Sequence, residues 1–215
     1  MNKDNTSRVI DLKYKVAFYD PMNFFLYLLF GGERKFRSEI IKYANLSKDM
    51  SLLDIGCATG GNVISVLETA PFRLRVYGLD AAFNIIRYAS DKVFKKGLNG
   101  NFVQAMAEHL PFKDSTIDRI INVFMLHHLR YEMKVMALKE MHRVLKKDGV
   151  LIVVDPAKPH NLLGKIFGFL RCYVPEIRDS LKIPLVELVR KGGFEDVDAL
   201  RNTLGCFSFV RARKK

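Results

Sequence analysis

Cysteine is scarce in this chain. Only Cys57, Cys172 and Cys206 occur among its 215 residues, an odd number at wide separations with no C-x-x-C pair. That pattern argues against a disulfide framework and a cysteine-held metal, and a reducing cytoplasm is the expected compartment. Long apolar runs are missing too: Phe24 to Phe30 is far short of the roughly 20 residues that span a bilayer. The N-terminal MNKDNTSRVI has no apolar stretch of the signal-peptide kind. No repeat, low-complexity tract or composition shift marks a second domain. The glycines near position 56 lack the middle member of a dinucleotide G-x-G-x-x-G, and no Lys-Ser/Thr pair follows Gly61 to make a Walker loop.

What is present is a globular balance of 49% hydrophobic and 27% charged residues, with 14 glycines and 7 prolines. It suffices for one α/β domain with its own core. Lysine and arginine number 35 against 23 acids, a formal charge of +12. Such a surplus suits nucleic acid, an acidic lipid surface or an anionic substrate, and equally a plain high pI. The charge is scattered except at Arg211, Arg213, Lys214 and Lys215, and no nucleic-acid module accompanies it, which argues against nucleic acid.

The chain is organised around SLLDIGCATGG (51–61), which reads as a buried strand breaking into a tight turn and opening a helix. Gly56 and Gly60 allow backbone conformations closed to other residues and close approach of a ligand. The free N–H groups of the helix start would face it. LRVYGLD (74–80) is a second strand ending in Asp80, about 20 residues on, where a parallel-sheet nucleotide site places its ribose-binding carboxylate. An acid suits that place because it accepts hydrogen bonds from both hydroxyls.

Helices are predicted over 8–20, 33–46, 61–70, 82–96, 131–146 and near 184–191. Strands are predicted at NFVQA, Asp118 to Val123 and GVLIVVDP, with a closing pair in GFEDVDAL and LGCFSFVRARKK. Strands alternating with helices predict a doubly wound sheet. Residues 156–183 break the rhythm with an apolar helix around Leu162 to Leu170, readable as core, substrate lid or lipid-contacting surface.

LLDIGCATGG, YGLD, MAEHLPFKDSTID, NVFMLHHL and EMHRVLKKDGVLIVVDP, in that order, resemble class I S-adenosylmethionine-dependent methyltransferases. The resemblance implies an α/β Rossmann-like seven-stranded sheet with an antiparallel last strand. It divides one domain into an N-terminal helical cover (1–46), a cofactor core (51–155), a substrate-side cover (156–192) and closing strands (193–215). It further implies that Asp54, Gly56 and Gly60 hold the methionine moiety of S-adenosyl-L-methionine, with Cys57 and Ala58 contributing backbone. Asp80 takes the ribose, Ala81 and Phe83 border the adenine, Ala107 and Glu108 pass the adenine ring, and Asn122 and Val123 lie near the methionine end. S-adenosyl-L-homocysteine is the product. Met106 stands where the family usually has an acid for the adenine amino group.

Tyr19-Asp20-Pro21-Met22-Asn23, the basic-aromatic Arg34-Lys35-Phe36-Arg37, Lys158-Pro159 and Gly193-Phe194 resemble the ubiquinone/menaquinone biosynthesis C-methyltransferases. Two departures stand against this likeness. The stretch from Pro175 to Gly192 is shorter, and His127-His128 replace that family's Arg-Asn pair.

Methyl transfer needs proximity and, for an oxygen or carbon nucleophile, a base. His127 and His128 just beyond a strand end are candidates, since imidazole titrates in the useful range; the alternative is a packing pair. Tyr19 is a further candidate, and Asp155 and Tyr173 are weaker ones. No acids at suitable spacing suggest a metal. The expectation is methylation of an apolar small molecule or lipid-like quinol, with peripheral membrane contact left open. Methylation of another metabolite or of RNA, and cofactor binding without catalysis, are the alternatives.

Overall fold

The computed structural model describes residue 27 and residues 31–159, 161, 162, 165, 181–203 and 206–215, with 201–203 as backbone only. The helices predicted over 8–20 and around Leu162 to Leu170 lie outside these residues or nearly so, as do Tyr19, Cys172 and Tyr173. Five helices are described: α1 (Glu33–Ala44), α2 (Gly61–Thr69), α3 (Phe83–Lys95), α4 (Tyr131–Val144) and α5 (Leu185–Lys191). The strands are β1 (Ser51–Ile55), β2 (Arg75–Asp80), β3 (Asn101–Gln104), β4 (Ile117–Val123), β5 (Leu145–Pro156), β6 (Asp196–Thr203) and β7 (Phe207–Arg213).

The strands form one sheet in the order β3-β2-β1-β4-β5-β7-β6. Pairing is parallel from β3 to β5, while β7 runs antiparallel to both β5 and β6. β1 is buried throughout, as a central parallel strand covered on both faces must be. Alternation then sorts its side chains. Leu53 and Ile55, with Leu151 and Val153 of β5, pack against Leu138 and Met141 of α4 and Leu185 of α5. Leu52, with Ile152 and Val154, packs on the other face against Phe36 and Ile40 of α1 and Val63 of α2. The order of connections reverses between β1 and β4, so their C-terminal ends flank the crevice where open α/β sheets bind ligands.

The predicted elements fall close to the observed ones, with one informative difference. The helix expected to reach Lys146 stops at Val144. Leu145 turns to extended backbone and pairs with Ile117, after which a register shift carries the pairing to Val150 opposite Arg119. The apolar stripe continues through Leu145 because it is buried in the strand as it would have been in the helix. Lys146 is thereby freed to bind Asp118, its Nζ 2.8 Å from Oδ1.

Candidate active site

The glycine loop leaves β1 through Gly56, whose φ of +73° is in the left-handed region, and enters α2 through Gly60 at +77°. A Cβ at Gly56 would lie 2.6 Å from Met125 Cγ, so torsion and space both call for glycine there, whereas one at Gly60 would lie 3.3 Å from Ala89 Cβ, a tight fit in which the torsion is the main reason for glycine. The N–H groups of Gly56 and Cys57 both donate to the Leu79 carbonyl, at 2.8 and 2.9 Å. Those bonds tie the loop to the end of β2. Ala58 holds the left-handed conformation without being glycine, and its N–H donates to Asp80 Oδ2 at 3.2 Å. Ala82 N–H donates to Asp80 Oδ1 at 3.1 Å. Each Asp80 oxygen thus receives a backbone bond, and the Ala81 N–H adds to them. Burial nevertheless raises the Asp80 carboxyl above its ordinary range, with those backbone bonds opposing the rise.

Asp54 is fully buried at the end of β1. Its Oδ1 accepts a long bond from Asn62 Nδ2, 3.4 Å, and its Oδ2 has no hydrogen-bond partner. Burial pushes its carboxyl up to about 7; the Asn62 bond and the Arg37 charge pull it down and Asp80 pushes it further up. Arg37, on α1, donates to Asn62 Oδ1 and to the Tyr27 hydroxyl, and pairs with Glu33 one turn back. A Cβ on Gly61 would overlap the Arg37 guanidinium, so glycine here gives α1 access to the start of α2. Burial also pushes the Cys57 thiol well up, with Asp54 and Asp80 adding to the rise, which leaves it a packing group and not a nucleophile.

On the other side of the crevice Asn122 Nδ2 donates to the Ile55 carbonyl at 2.8 Å, while its Oδ1 is buried without a partner. Phe124 follows at a φ of +55°. For a phenylalanine that is strained backbone of the kind functional sites store. It is held by its N–H on the Val154 carbonyl (2.8 Å), a stacked contact with Phe36 and an edge contact with Phe207. A single 3-10 turn, Leu126–His128, comes next. His127 is buried and its Nδ1 lies 2.8 Å from Asp155 Oδ1, whereas His128 is exposed with its ring 4.0 Å away. Beyond β3, Ala107 and Glu108 are buried and Glu108 Oε1 has no partner. The segment is pinned by Glu140 on the Leu110 N–H and by Arg143 on the Leu110 and Phe112 carbonyls.

Asp54, Gly56, Cys57, Ala58, Gly60, Asp80, Ala81, Phe83, Ala107, Glu108, Asn122, Val123, His127 and His128 therefore all follow or end strands β1 to β4 at the C-terminal edge. Tyr19 lies outside the described residues. Phe83 is 58% exposed and Met106 38% exposed on the β2–β3 side. Sequence reasoning missed Asn62 and Met125 altogether and gave Arg37 no role. The only signals were a polar side chain on the buried face of α2, and a glycine at 61 that the turn alone does not need.

Loop, edge carboxylates and orphaned acceptors fit a ligand carrying a hydroxyl pair at one end and a donor such as an ammonium at the other. S-adenosylmethionine is such a ligand, and fold and loop together define a class I methyltransferase. A profile of the methyltransferase domain matches residues 53–153. The chain is 34% identical to the ubiquinone/menaquinone biosynthesis C-methyltransferase of Haemophilus ducreyi, over 92% of this chain and 84% of that one. It is 30% identical to the demethylmenaquinone methyltransferase of a Geobacillus species, over 92% of each. A solved S-adenosylmethionine-dependent methyltransferase from Aquifex aeolicus shares the fold, with a TM-score of 0.67 and 22% identity over 83% of this chain and 89% of that one. The chain belongs to the ubiquinone/menaquinone biosynthesis C-methyltransferase family, and it is an S-adenosylmethionine-dependent methyltransferase. Among the described residues no helix is long and apolar enough to cross a membrane, and no group of three or more His, Cys, Asp or Glu could hold a metal ion.

Proposed function

We propose that the protein methylates a ring carbon of a lipid-like quinol. The observation that carries this reading is the reach of the similarity, which covers 92% of the chain. The domain profile alone stops at residues 53–153. The match therefore extends well beyond the residues of the domain profile. We divide the chain as one domain, with 1–46 and 156–192 covering the acceptor and 193–215 closing the sheet. A cytoplasmic enzyme that meets a membrane-dissolved acceptor touches the lipid surface only peripherally.

Bound S-adenosylmethionine supplies a methyl group activated by its sulfonium charge. Asp54 Oδ2, Gly56, Gly60 and the backbone of Cys57 and Ala58 would hold its methionine part, with Asn122 and Val123 at that end. Asp80 would accept from the ribose hydroxyls. Ala81, Phe83, Ala107 and Glu108 would border the adenine, which leaves Met106 supplying bulk where an acid would supply a bond. The Tyr27–Arg37–Asn62 chain positions the Asn62 amide that donates to Asp54 Oδ1 at 3.4 Å.

Purified protein given methyl-labelled S-adenosylmethionine and a panel of reduced alkyl quinols, phospholipids and RNA should label a quinol ring carbon. Label confined to RNA or lipid headgroups overturns the reading.

A further inference from the structure

The pair formed by His127 and Asp155 is left over when the cofactor's requirements are met. Its side chains are 10% and 4% exposed, and Nδ1 stands 2.8 Å from Oδ1. A buried histidine–carboxylate pair contributes little to stability that apolar residues would not, because both groups lose their water. The turn that carries His127 is already fixed by Phe124 and by the buried Leu126. We propose that His127, oriented by Asp155, accepts the proton of the quinol's ring hydroxyl; this rests on the quinol reading above.

The geometry supplies an imidazole held by a carboxylate at 2.8 Å. With Asp155 as the acceptor in this bond, Nδ1 carries the hydrogen and the lone pair is left on Nε2. Asp155 ends β5 and His127 follows β4, on the side of the crevice opposite the glycine loop. Met125, two residues earlier, packs on Gly56 and ties the turn to that loop.

The step balances without any further reagent. Nε2 takes the hydroxyl proton, and the oxygen's electron pair moves into the ring. The ortho carbon then forms a bond to the methyl group as the methyl–sulfur bond breaks, its electrons remaining on sulfur. The methylated carbon loses its own hydrogen as a proton, the ring regains aromaticity and the oxygen is reprotonated. One proton in total reaches solvent. His127 is a catalytic residue in this scheme and Asp155 a positioning residue.

The test compares the wild type, His127→Asn and Asp155→Asn on an alkyl hydroquinone and on a ring-halogenated one whose hydroxyl is ionised at the assay pH. S-adenosylmethionine binding by calorimetry should stay within about threefold in both variants. For His127→Asn, kcat on the alkyl acceptor should fall about 10²–10⁴-fold, with KM little changed, and the deficit on the ionised acceptor should shrink below about tenfold. Nitrogen-15 NMR should find the Nδ1–H tautomer in the wild type and a shift toward Nε2–H in Asp155→Asn. Equal deficits on both acceptors, lost cofactor binding in His127→Asn, or an Nε2–H wild type would overturn the dyad. A wild type that binds S-adenosylmethionine but methylates neither quinol overturns the substrate reading itself, and the role given to His127 with it.

Discussion

Asp118 and Asp54 sit on neighbouring strands at opposite ends of the same sheet, and their surroundings differ in kind. Asp118 opens β4 at the N-terminal edge. Its Oδ2 accepts from the Ser51 N–H at 2.9 Å and the Ser51 hydroxyl at 2.7 Å, and both its oxygens accept from Lys146. Burial pushes that carboxyl up, but the Lys146 ammonium and the Ser51 bonds outweigh it, and the balance lies below the ordinary range. Asp54 closes β1 at the other edge with a long bond to Asn62 and a bare oxygen. Asn122 and Glu108 repeat the pattern with their own unpartnered oxygens. A fold that satisfies carboxylates at one end can do so at the other. The unpartnered oxygens of Asp54, Asn122 and Glu108 all belong to the C-terminal edge, where the donors of a bound ligand would offset the cost of about 1–3 kcal/mol that an orphaned buried acceptor carries.

The largest expected effect breaks the comparison at Asp54. Its carboxyl is raised from 3.8 to about 7 in the folded protein, so the folded state holds the proton more tightly than the unfolded state does. The stability this contributes is complete below pH 3.8 and is lost as pH rises through 7. Each tenfold gain in proton affinity on folding is worth about 1.4 kcal/mol. The ligand-free protein should therefore lose on the order of 4 kcal/mol between pH 4 and 8 from this group alone. Urea unfolding of Asp54→Asn should lack that slope, and an unchanged slope would remove Asp54 as its source.

Next in size is Asp80→Ala, which removes the acceptor proposed for both ribose hydroxyls. Charged hydrogen bonds contribute about 1.5–3 kcal/mol each, so the S-adenosylmethionine Kd from calorimetry should rise at least about 100-fold. Stability should change less than that loss, because Ala58, one of the two residues whose backbone donors are freed, is only half-buried, while Ala82 is buried. Asp118→Ala should give the opposite result. Ser51 N–H loses its acceptor in a buried setting, while the Ser51 hydroxyl keeps the Thr116 carbonyl at 3.1 Å, and the cost is about 2 kcal/mol, read as a lower urea midpoint at constant slope. Its cofactor Kd should stay within about threefold of the wild type.

The unsatisfied end was legible in the sequence and much of the satisfied end was not. Asp54, the glycines and Asp80 declare themselves because a loop that wraps a ligand needs particular residue types at fixed short spacing. The Asp118–Ser51–Lys146 cluster joins side chains 67 and 28 residues apart, and depends on α4 ending at Val144, where the apolar stripe gave no stop. Arg37 reaches Asn62 across 25 residues for the same reason. His127 was visible as a candidate. That Asp155, 28 residues on, fixes its tautomer follows only from the parallel pairing of β4 with β5.

The smallest expected effect sharpens the comparison by supplying a third environment. Arg211 and Asp198 pair across β7 and β6 at 2.7 Å, as close as any bond Asp118 makes, but their side chains are 42% and 52% exposed. Water solvates each partner when the other is removed, and holding two long side chains together costs entropy that offsets the attraction. Asp198→Ala should therefore shift the unfolding free energy by less than about 0.5 kcal/mol, measured by urea titration beside Asp118→Ala. If the two substitutions cost the same, distance alone would govern these carboxylates. A severalfold larger loss at Asp118 shows instead that burial of the groups left behind decides the cost, which is the same physics that makes an unpartnered oxygen on Asp54 worth a ligand.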